Sequence, residues 1–365
     1  MSIELIISLV KANIVLAVLL TNTILLIWFE RKVVAGMQSR VGPDRAGPFG
    51  ILQTLADAIK LLLKEQILPS KADRAMYLLA PLIALVPSFL IFMIIPLGPD
   101  ITVEWQNALY TIPLVGADLN VGVLYFLALS SIAVYSVVLA GWSSGSKYPL
   151  LGGVRASAQM ISYEAAMGLA LVPVILYSGS LSLVDIVNSQ SGNLSSSIPI
   201  LNTIVSFIPK WNIFPQFVAF GIFFIAAVAE VNRAPFDLVE AEQELVGGFH
   251  TEYSGFRFAM FFLAEYINMF NMCAITATFF LGGWLGPTFE GILPPIFSVI
   301  MPIIWLGVKT FLLLFVFVWI RATLPRLRYD QLMELGWKRM IPLSLVWLII
   351  SAIVLGLREF GLPWS

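Results

Sequence analysis

The chain has 365 residues, of which 59% are apolar and 12% are charged, whereas soluble domains are about 45–50% apolar and about 25% charged. This composition excludes an ordinary soluble enzyme. The formal net charge of −1 gives no overall positive field, so nucleic acid is not an expected partner. One cysteine, Cys273, and one histidine, His250, provide too few ligands for a disulfide, a zinc site, an iron–sulfur cluster or a bis-histidine haem. Any redox cofactor is therefore expected on a partner or in diffusible form.

Long apolar segments predict an all-α integral membrane protein. A helix needs about 20 apolar residues to cross a bilayer core about 30 Å thick, and eight segments qualify. They lie near Ile3–Phe29, Ala75–Pro96, Leu119–Ala140, Ser157–Tyr177, Phe214–Val231, Phe256–Leu281, Ile296–Ile320 and Ile341–Leu357. The first is expected to remain in the mature protein, because it opens with Glu4 and leads into Glu30 and Arg31 without a cleavage site.

The distribution of basic residues predicts the orientation of the chain. Most of the 21 Lys and Arg residues lie in the odd-numbered connections, and the even-numbered ones hold only Lys210. Cytoplasmic loops of membrane proteins carry excess Lys and Arg. The odd connections are therefore expected in the cytoplasm, with both termini outside.

Lys11 in the first span is expected only to extend to the outer surface. Three other predicted spans carry ionisable residues well inside them: Glu164 in the fourth, Glu265 in the sixth and Lys309 in the seventh. Such a residue costs about 2.5–3.5 kcal/mol on insertion, so each is a candidate for function. Charges on three different helices favour a proton or ion relay. The alternative is a set of paired charges that only lock the helices together.

A cytoplasmic loop at residues 230–255 is acidic, although such loops are usually basic. Its carboxylates are Glu230, Asp237, Glu240, Glu242, Glu244 and Glu252. Closely spaced carboxylates raise one another's pKa, especially where apolar neighbours exclude water. The loop is thus a candidate for proton uptake near neutral pH, and the alternative is an ordinary solvated acidic loop.

The first connection, residues 31–74, combines tight turns with an amphipathic segment. Arg40–Gly50 reads R-V-G-P-D-R-A-G-P-F-G, in which two Gly-Pro pairs require defined turns. Ile51–Lys64 places leucines and isoleucines on one face and polar residues on the other, which predicts a helix lying in the membrane plane. The neighbouring Arg31 and Arg40 indicate either binding of anionic lipid or a portal for an amphiphile with a long apolar tail.

Ordered motifs extend over most of the chain. They are W-F-E-R-K and R-V-G-P within 28–43, G-P-F-G-I-L-Q-T-L-A-D-A-I-K-L at 47–61, G-W-S-S-G-S-K-Y at 141–148, I-S-Y-E at 161–164, N-R-A-P-F-D-L at 232–238, E-A-E-Q-E-L-V-G-G-F-H-T-E-Y at 240–253, W-I-R-A at 319–322 and R-Y-D-Q-L-M at 328–333. With these motifs the chain resembles the H-type membrane heel subunits of proton-pumping NADH:quinone oxidoreductase, respiratory complex I. A further match is K-E at 64–65. Gln66, the next residue, departs from the family pattern, in which many members have an acid at this position.

The resemblance implies an eight-span subunit that forms much of the quinone tunnel and joins the peripheral arm of the complex to its membrane arm. It assigns Glu30, Arg31, Arg40, Asp57 and Lys60 to the tunnel and first loop. It assigns Asp237, Glu240, Glu242, Glu244 and Glu252 to the acidic loop beneath the quinone head. The expected proton relay contains Glu164, Glu230 and Glu265, together with Lys309 from the argument on intramembrane charges.

The resemblance also implies the partners. They are the peripheral quinone-site subunit, the subunit with the terminal iron–sulfur cluster, the small membrane subunits that lead to the antiporter-like subunits, and membrane lipid. The bound substrate is a quinone, either ubiquinone or menaquinone, and no metal, haem, flavin or iron–sulfur cluster is expected on this chain. The expected location is the bacterial inner (plasma) membrane. Two alternatives remain open: a homologous subunit of a ferredoxin-, deazaflavin- or hydrogen-linked relative, and an independent ion-coupled transporter.

Overall fold

The computed structural model describes residues 3–105, 108–193, 209–237, 246–287 and 296–360, most of which are helical. The helices are α1 (Ile3–Met37), α2 (Gln53–Leu63), α3 (Arg74–Met93), α4 (Gly122–Ser143), α5 (Lys147–Ser178), α6 (Leu183–Ser189), α7 (Phe217–Glu230), α8 (Gly255–Phe280), α9 (Ile296–Thr323), α10 (Tyr329–Glu334) and α11 (Ile341–Phe360). Short 3₁₀ turns lie at Pro48–Gly50 and Gly248–His250, and a π-helical turn at Leu335–Met340 joins α10 to α11.

A helix lies over each of the eight predicted spans. Within the described residues, seven helical segments are long and apolar enough to cross a membrane. The remaining helix, α7, is apolar but has only 14 residues, about 21 Å at 1.5 Å per residue. The helical membrane fold is therefore confirmed, with seven candidate spanning helices and one shorter apolar helix.

A small β-hairpin lies between α3 and α4, where the sequence analysis predicted only helices and loops. Strand β1 (Ile101–Trp105) pairs antiparallel with β2 (Ala108–Ile112), with Ile101 opposite Ile112. The predicted helical class holds for most of the described chain, and this hairpin is an element that the sequence analysis did not predict. β-Branched and aromatic residues favour strands, but each strand is only five residues long, and a search for long apolar spans does not detect so short an element.

The odd-numbered connections gather at one end of the helices, called here the basic end. Hydrogen bonds join them to one another: Asp73 N donates to Ser143 O, Ile67 N to Ser254 Oγ, and Leu327 N to Pro235 O. At the opposite end, Val123 N donates to Leu181 O and Asn212 Nδ2 to Phe279 O. The helices thus run alternately up and down, as the alternation of basic loops predicts.

Helix α5 lies in the centre of the fold and packs against α4, α7 and α11. It begins at Lys147, ten residues before the predicted span, and its Gly152 touches the Gly248–His250 turn. A Cβ atom at Gly152 would lie 2.7 Å from the backbone of Gly248, so only glycine allows this approach. The close contact fixes the turn that carries His250 against α5.

Candidate functional site

A buried carboxylate, Glu30, a partly buried one, Glu265, and two guanidinium groups form an ion network near the basic end. Arg233 Nη1 lies 3.2 Å from Glu30 Oε1, and Arg233 Nε lies 2.7 Å from Glu265 Oε1. Arg321, at the end of α9, donates a hydrogen bond to Glu30. The Arg233 guanidinium also lies 4.3 Å from the centre of the Tyr266 ring. Buried charges require partners of opposite sign. In this network the two carboxylates and the two guanidinium groups have a net charge of zero.

A small cavity adjoins this network. It has a volume of about 60 Å³, and its walls include Glu230, Glu265, His250 and Asn268. Glu265 therefore belongs both to the ion network and to the wall of the cavity. The structure brings together Glu230 at the end of α7, His250 of the following loop and Glu265 of α8.

Two adjacent serines of α4 hold the carboxylates of two other helices. Ser130 Oγ donates a hydrogen bond to Glu230 at the end of α7, and Ser131 Oγ donates one to Glu164 of α5. Because successive helical residues lie side by side, the two carboxylates flank the same turn of α4. The predicted relay residues Glu164 and Glu230 thus lie in one polar region inside the helix bundle.

The turn after α7 is held by a buried amide. Gln159 Nε2 donates to Ala229 O at 2.9 Å and to Phe236 O at 2.8 Å. The next acid, Asp237, is buried and forms an ion pair with Arg326 at 3.2 Å. These contacts hold the turn that contains Arg233 in a fixed position.

The acidic loop is only partly described. Glu240, Glu242 and Glu244 lie outside the described residues, so their prediction is not tested. Glu252 is half-buried, and its backbone oxygen accepts a hydrogen bond from Tyr77 at 2.7 Å. The proton-binding role of this loop stays a prediction.

The predicted amphipathic helix, α2, is linked to α1 by side-chain contacts. Arg31 Nη1 forms an ion pair with Asp57 Oδ2 at 2.7 Å, and Trp28 Nε1 donates to Phe49 O at 2.9 Å. Its apolar face is exposed at Leu52, Leu55, Ile59, Leu62 and Leu63. Lys60 is exposed on the same helix.

A larger cavity of about 400 Å³ lies between the ends of α1 and α9. Its walls carry three arginines, Arg31, Arg40 and Arg321, together with Glu30 and Tyr266. Arg40 is exposed, and its Nε donates to Gln38 Oε1 at 2.7 Å. The cavity therefore offers hydrogen-bond donors to an oxygen-rich head group.

Ionisation is shifted in the loops beside the spans. Burial lowers the pKa of Arg233, but the charges of Glu265 and Glu30 outweigh this effect and raise that pKa well above its ordinary value. Burial lowers the pKa of His250 to about 3 and raises the pKa of Tyr253 to about 12. At neutral pH, Arg233 is charged and His250 and Tyr253 are neutral.

Lys309 has contacts that differ from those of the carboxylates. Its Nζ donates to the backbone oxygens of Leu281, Gly283 and Leu285, just beyond the end of α8. It also lies 4.3 Å from the centre of the Trp211 ring. Since an ammonium group has three donors, these carbonyls use all of them, as in a helix cap, and the place of Lys309 in the relay stays a prediction.

Several residues of the site were missed by sequence analysis. They are Ser130, Ser131, Gln159, Tyr266 and Arg321. Arg321 was counted only among the basic residues that set the orientation. A polar pair inside an apolar span, such as Ser130–Ser131, is the one sequence signal that could have drawn attention to these residues.

Among the described residues, no cluster of three or more His, Cys, Asp or Glu side chains could hold a metal ion. Cys273 is a free, buried cysteine.

Comparison with known proteins gives extensive matches. The profile of the family described as NADH dehydrogenase matches residues 10–352. The chain is similar to an H-type subunit of NADH-quinone oxidoreductase from Koribacter versatilis, with 47% identity over 362 residues that cover 97% of this chain and 98% of that relative. It is 50% identical over 341 residues to an H-type subunit from Syntrophobacter fumaroxidans, and the match covers 93% of each chain. It is also 50% identical over 345 residues to an H-type subunit from Geobacter sulfurreducens, covering 94% of this chain and 95% of the relative.

Proposed function

The chain belongs to the NADH dehydrogenase family, and from this premise we propose that it forms the quinone tunnel of an NADH-quinone oxidoreductase and couples quinone reduction to proton translocation. Its relatives are named as H-type subunits of a multi-subunit oxidoreductase. The chain accordingly acts as one subunit of an enzyme and has no activity alone.

One observation carries the proposal: buried polar groups follow one another from the basic end to the middle of α5. Ion pairs link Glu30 through Arg233 to Glu265, and Glu265 shares a cavity with Glu230. The Ser130–Ser131 pair then connects Glu230 to Glu164. In a medium of low dielectric constant, a charge change at one group strongly affects the protonation of the next.

The cavity of about 400 Å³ is the proposed position for the polar part of the quinone path. Arg31, Arg40, Arg321 and Tyr266 supply donors to quinone oxygens. The Arg31–Asp57 ion pair holds α2 beside this cavity, and the apolar face of α2 is exposed. It suits a long isoprenoid tail, whether of ubiquinone or menaquinone.

The chain's own residues bind the head group, exclude water and hold protons. The electrons come from an iron–sulfur cluster on a partner subunit. Quinone reduction takes up protons along with electrons, and the groups that give up these protons are left with a more negative charge near Glu30 and Arg321. The neighbouring carboxylates then change their proton affinity, and the change passes toward Glu230 and Glu164.

The proposed assembly follows from the family. Peripheral subunits cover the basic end, which faces the cytoplasm. Both termini lie on the outer side of the bacterial inner membrane. Glu164 is half-buried in the isolated chain, so we place the small membrane subunits against it, where they continue the relay. In this arrangement α7 also crosses the membrane, which brings the number of spans to eight, and lipid covers the remaining apolar surface.

The Arg31–Asp57 pair gives a test of the quinone path. In the intact complex, Asp57→Asn should raise the KM for quinone up to about fivefold, because an exposed ion pair contributes about 0.2–1 kcal/mol. The kcat and the reduction of ferricyanide by NADH should stay unchanged. Steady-state kinetics of purified complexes measures all three.

The matched control is Asp44→Asn, which removes the Lys32–Asp44 pair in the same connection but leaves α2 attached to α1. Its KM for quinone should equal that of the native enzyme. The proposed path is wrong if Asp57→Asn leaves the KM unchanged, or if both variants raise it equally.

A further inference from the structure

The cavity of about 60 Å³ has three buried polar atoms on residues in its wall: Glu230 Oε2, His250 Nε2 and Asn268 Oδ1. None of them has a hydrogen-bond partner within the described part of the chain. Buried polar atoms are nearly always hydrogen-bonded, if not to protein then to ordered water. Three such atoms on residues that line one cavity favour water as its occupant.

The size of the cavity agrees with this conclusion. A buried water needs about 10–15 Å³ of such volume and two to four polar partners, so about 60 Å³ holds a small cluster. Glu265 also lines this cavity. A water cluster there can touch both the Glu230 and the Glu265 carboxylates.

His250 is held rigidly at this cavity. Its ring centre lies 3.8 Å from that of Phe249, 5.2 Å from Phe261 and 5.6 Å from Phe258. The turn below it is fixed by the close approach of Gly152 to Gly248. Burial lowers the pKa of His250 to about 3, so the ring is neutral and Nε2 forms one hydrogen bond with water, as donor or acceptor.

We propose that His250 is a positioning residue of the proton relay, whose Nε2 hydrogen-bonds the water that joins Glu265 to Glu230. A proton that leaves one carboxylic acid passes to this water while the water gives another proton to the second carboxylate. The water and the imidazole end uncharged, so His250 orients the transfer without being a proton carrier. The inference rests on the relay proposed above and adds a group that the relay did not contain.

The test compares two replacements of His250 in the intact complex. His250→Phe fills the site without a hydrogen bond and should lower proton-coupled quinone reduction about tenfold. His250→Asn keeps an amide that can hold the water, and should return the rate to within about twofold of the native value. High-resolution electron microscopy should find ordered water at the cavity in the native and Asn forms only.

Controls separate this role from packing and from the relay itself. Reduction of ferricyanide by NADH should be unchanged in both variants, and Phe256→Leu, at an exposed aromatic residue of the same segment, should behave as native. The proposal is overturned if His250→Phe retains native coupling while Glu230→Gln is impaired, or if His250→Asn is as slow as His250→Phe. Native coupling in Glu230→Gln would instead overturn the relay.

Discussion

Glu30 occupies the central position among the buried charges, since its carboxylate pairs with both Arg233 and Arg321. Glu30 and Arg233 are each only 4% exposed, so water does not replace a lost partner. Removing one member of a buried ion pair leaves the other charge uncompensated and costs about 3–5 kcal/mol. The ion network is therefore a requirement for stability as well as the first part of the proposed relay.

Glu30→Gln should lower the stability of the assembled subunit by about 3–5 kcal/mol, because the charge that holds two arginines is removed. The thermal melting temperature of the purified complex measures the effect. Asp330→Asn, which breaks the exposed Arg328–Asp330 pair, is the matched control and should change stability by less than about 1 kcal/mol. Equal melting temperatures for the two variants would contradict the importance of the network.

The acids of the site could be predicted from the sequence, but their partners could not. Glu164 and Glu265 are recognisable because a carboxylate within an apolar segment is costly. Arg321 lies 291 residues from Glu30, and Ser130 lies 100 residues from Glu230. Local sequence patterns contain no information about contacts over such distances, which arise only when the helices pack.

At the level of whole elements, the end of α8 depends on a charge from α9. Lys309 donates to three carbonyl oxygens that follow α8, where helix-terminal carbonyls have no partner in the helix. A lysine near the C-terminal end of a helix is also favoured by the helix dipole. Lys309 thus stabilises the junction between two spanning helices.

Lys309→Met should reduce stability by about 2–4 kcal/mol, since several buried carbonyls lose their donor, but the ratio of protons to electrons in assembled complexes should stay native. Melting temperature and pumping ratio, measured on the same preparation, separate the two effects. A native melting temperature combined with a lower pumping ratio would place Lys309 in the relay.

The elements that could be predicted are those with a strong periodic or compositional signal. The long apolar helices and amphipathic α2 are of this kind. The β1–β2 hairpin was missed because its strands are short, and the early start of α5 was missed because Lys147–Arg155 is too polar to count as part of a span.

For the whole molecule, the separation of the basic loops from the other end is the basis of the predicted orientation. The connections rich in Lys and Arg gather at one end of the helices, and Lys210 lies in a connection at the other. The matches to H-type subunits bear out the family resemblance over nearly the full chain. The direction of the chain across the membrane is still a prediction from the positive-inside rule.

Cysteine labelling tests that direction. The natural Cys273 is buried, so it should give little background. Asp44→Cys should react with an impermeant maleimide in inside-out vesicles only, and Lys210→Cys in intact right-side-out cells or spheroplasts only. The reverse pattern would mean that both termini face the cytoplasm.

The central claim is that buried carboxylates of this chain couple quinone reduction to proton movement, and Glu230→Gln tests it most directly. The side chain keeps its size but can no longer exchange a proton between Glu265 and Glu164. The measurement is the rate of quinone reduction by NADH, together with the number of protons translocated per electron, in proteoliposomes that contain the intact complex, with the exposed Glu334→Gln as control. We predict that Glu230→Gln loses proton-coupled quinone reduction by at least about tenfold while NADH still reduces ferricyanide and the control is native. Native turnover and a native proton ratio in Glu230→Gln would contradict the account.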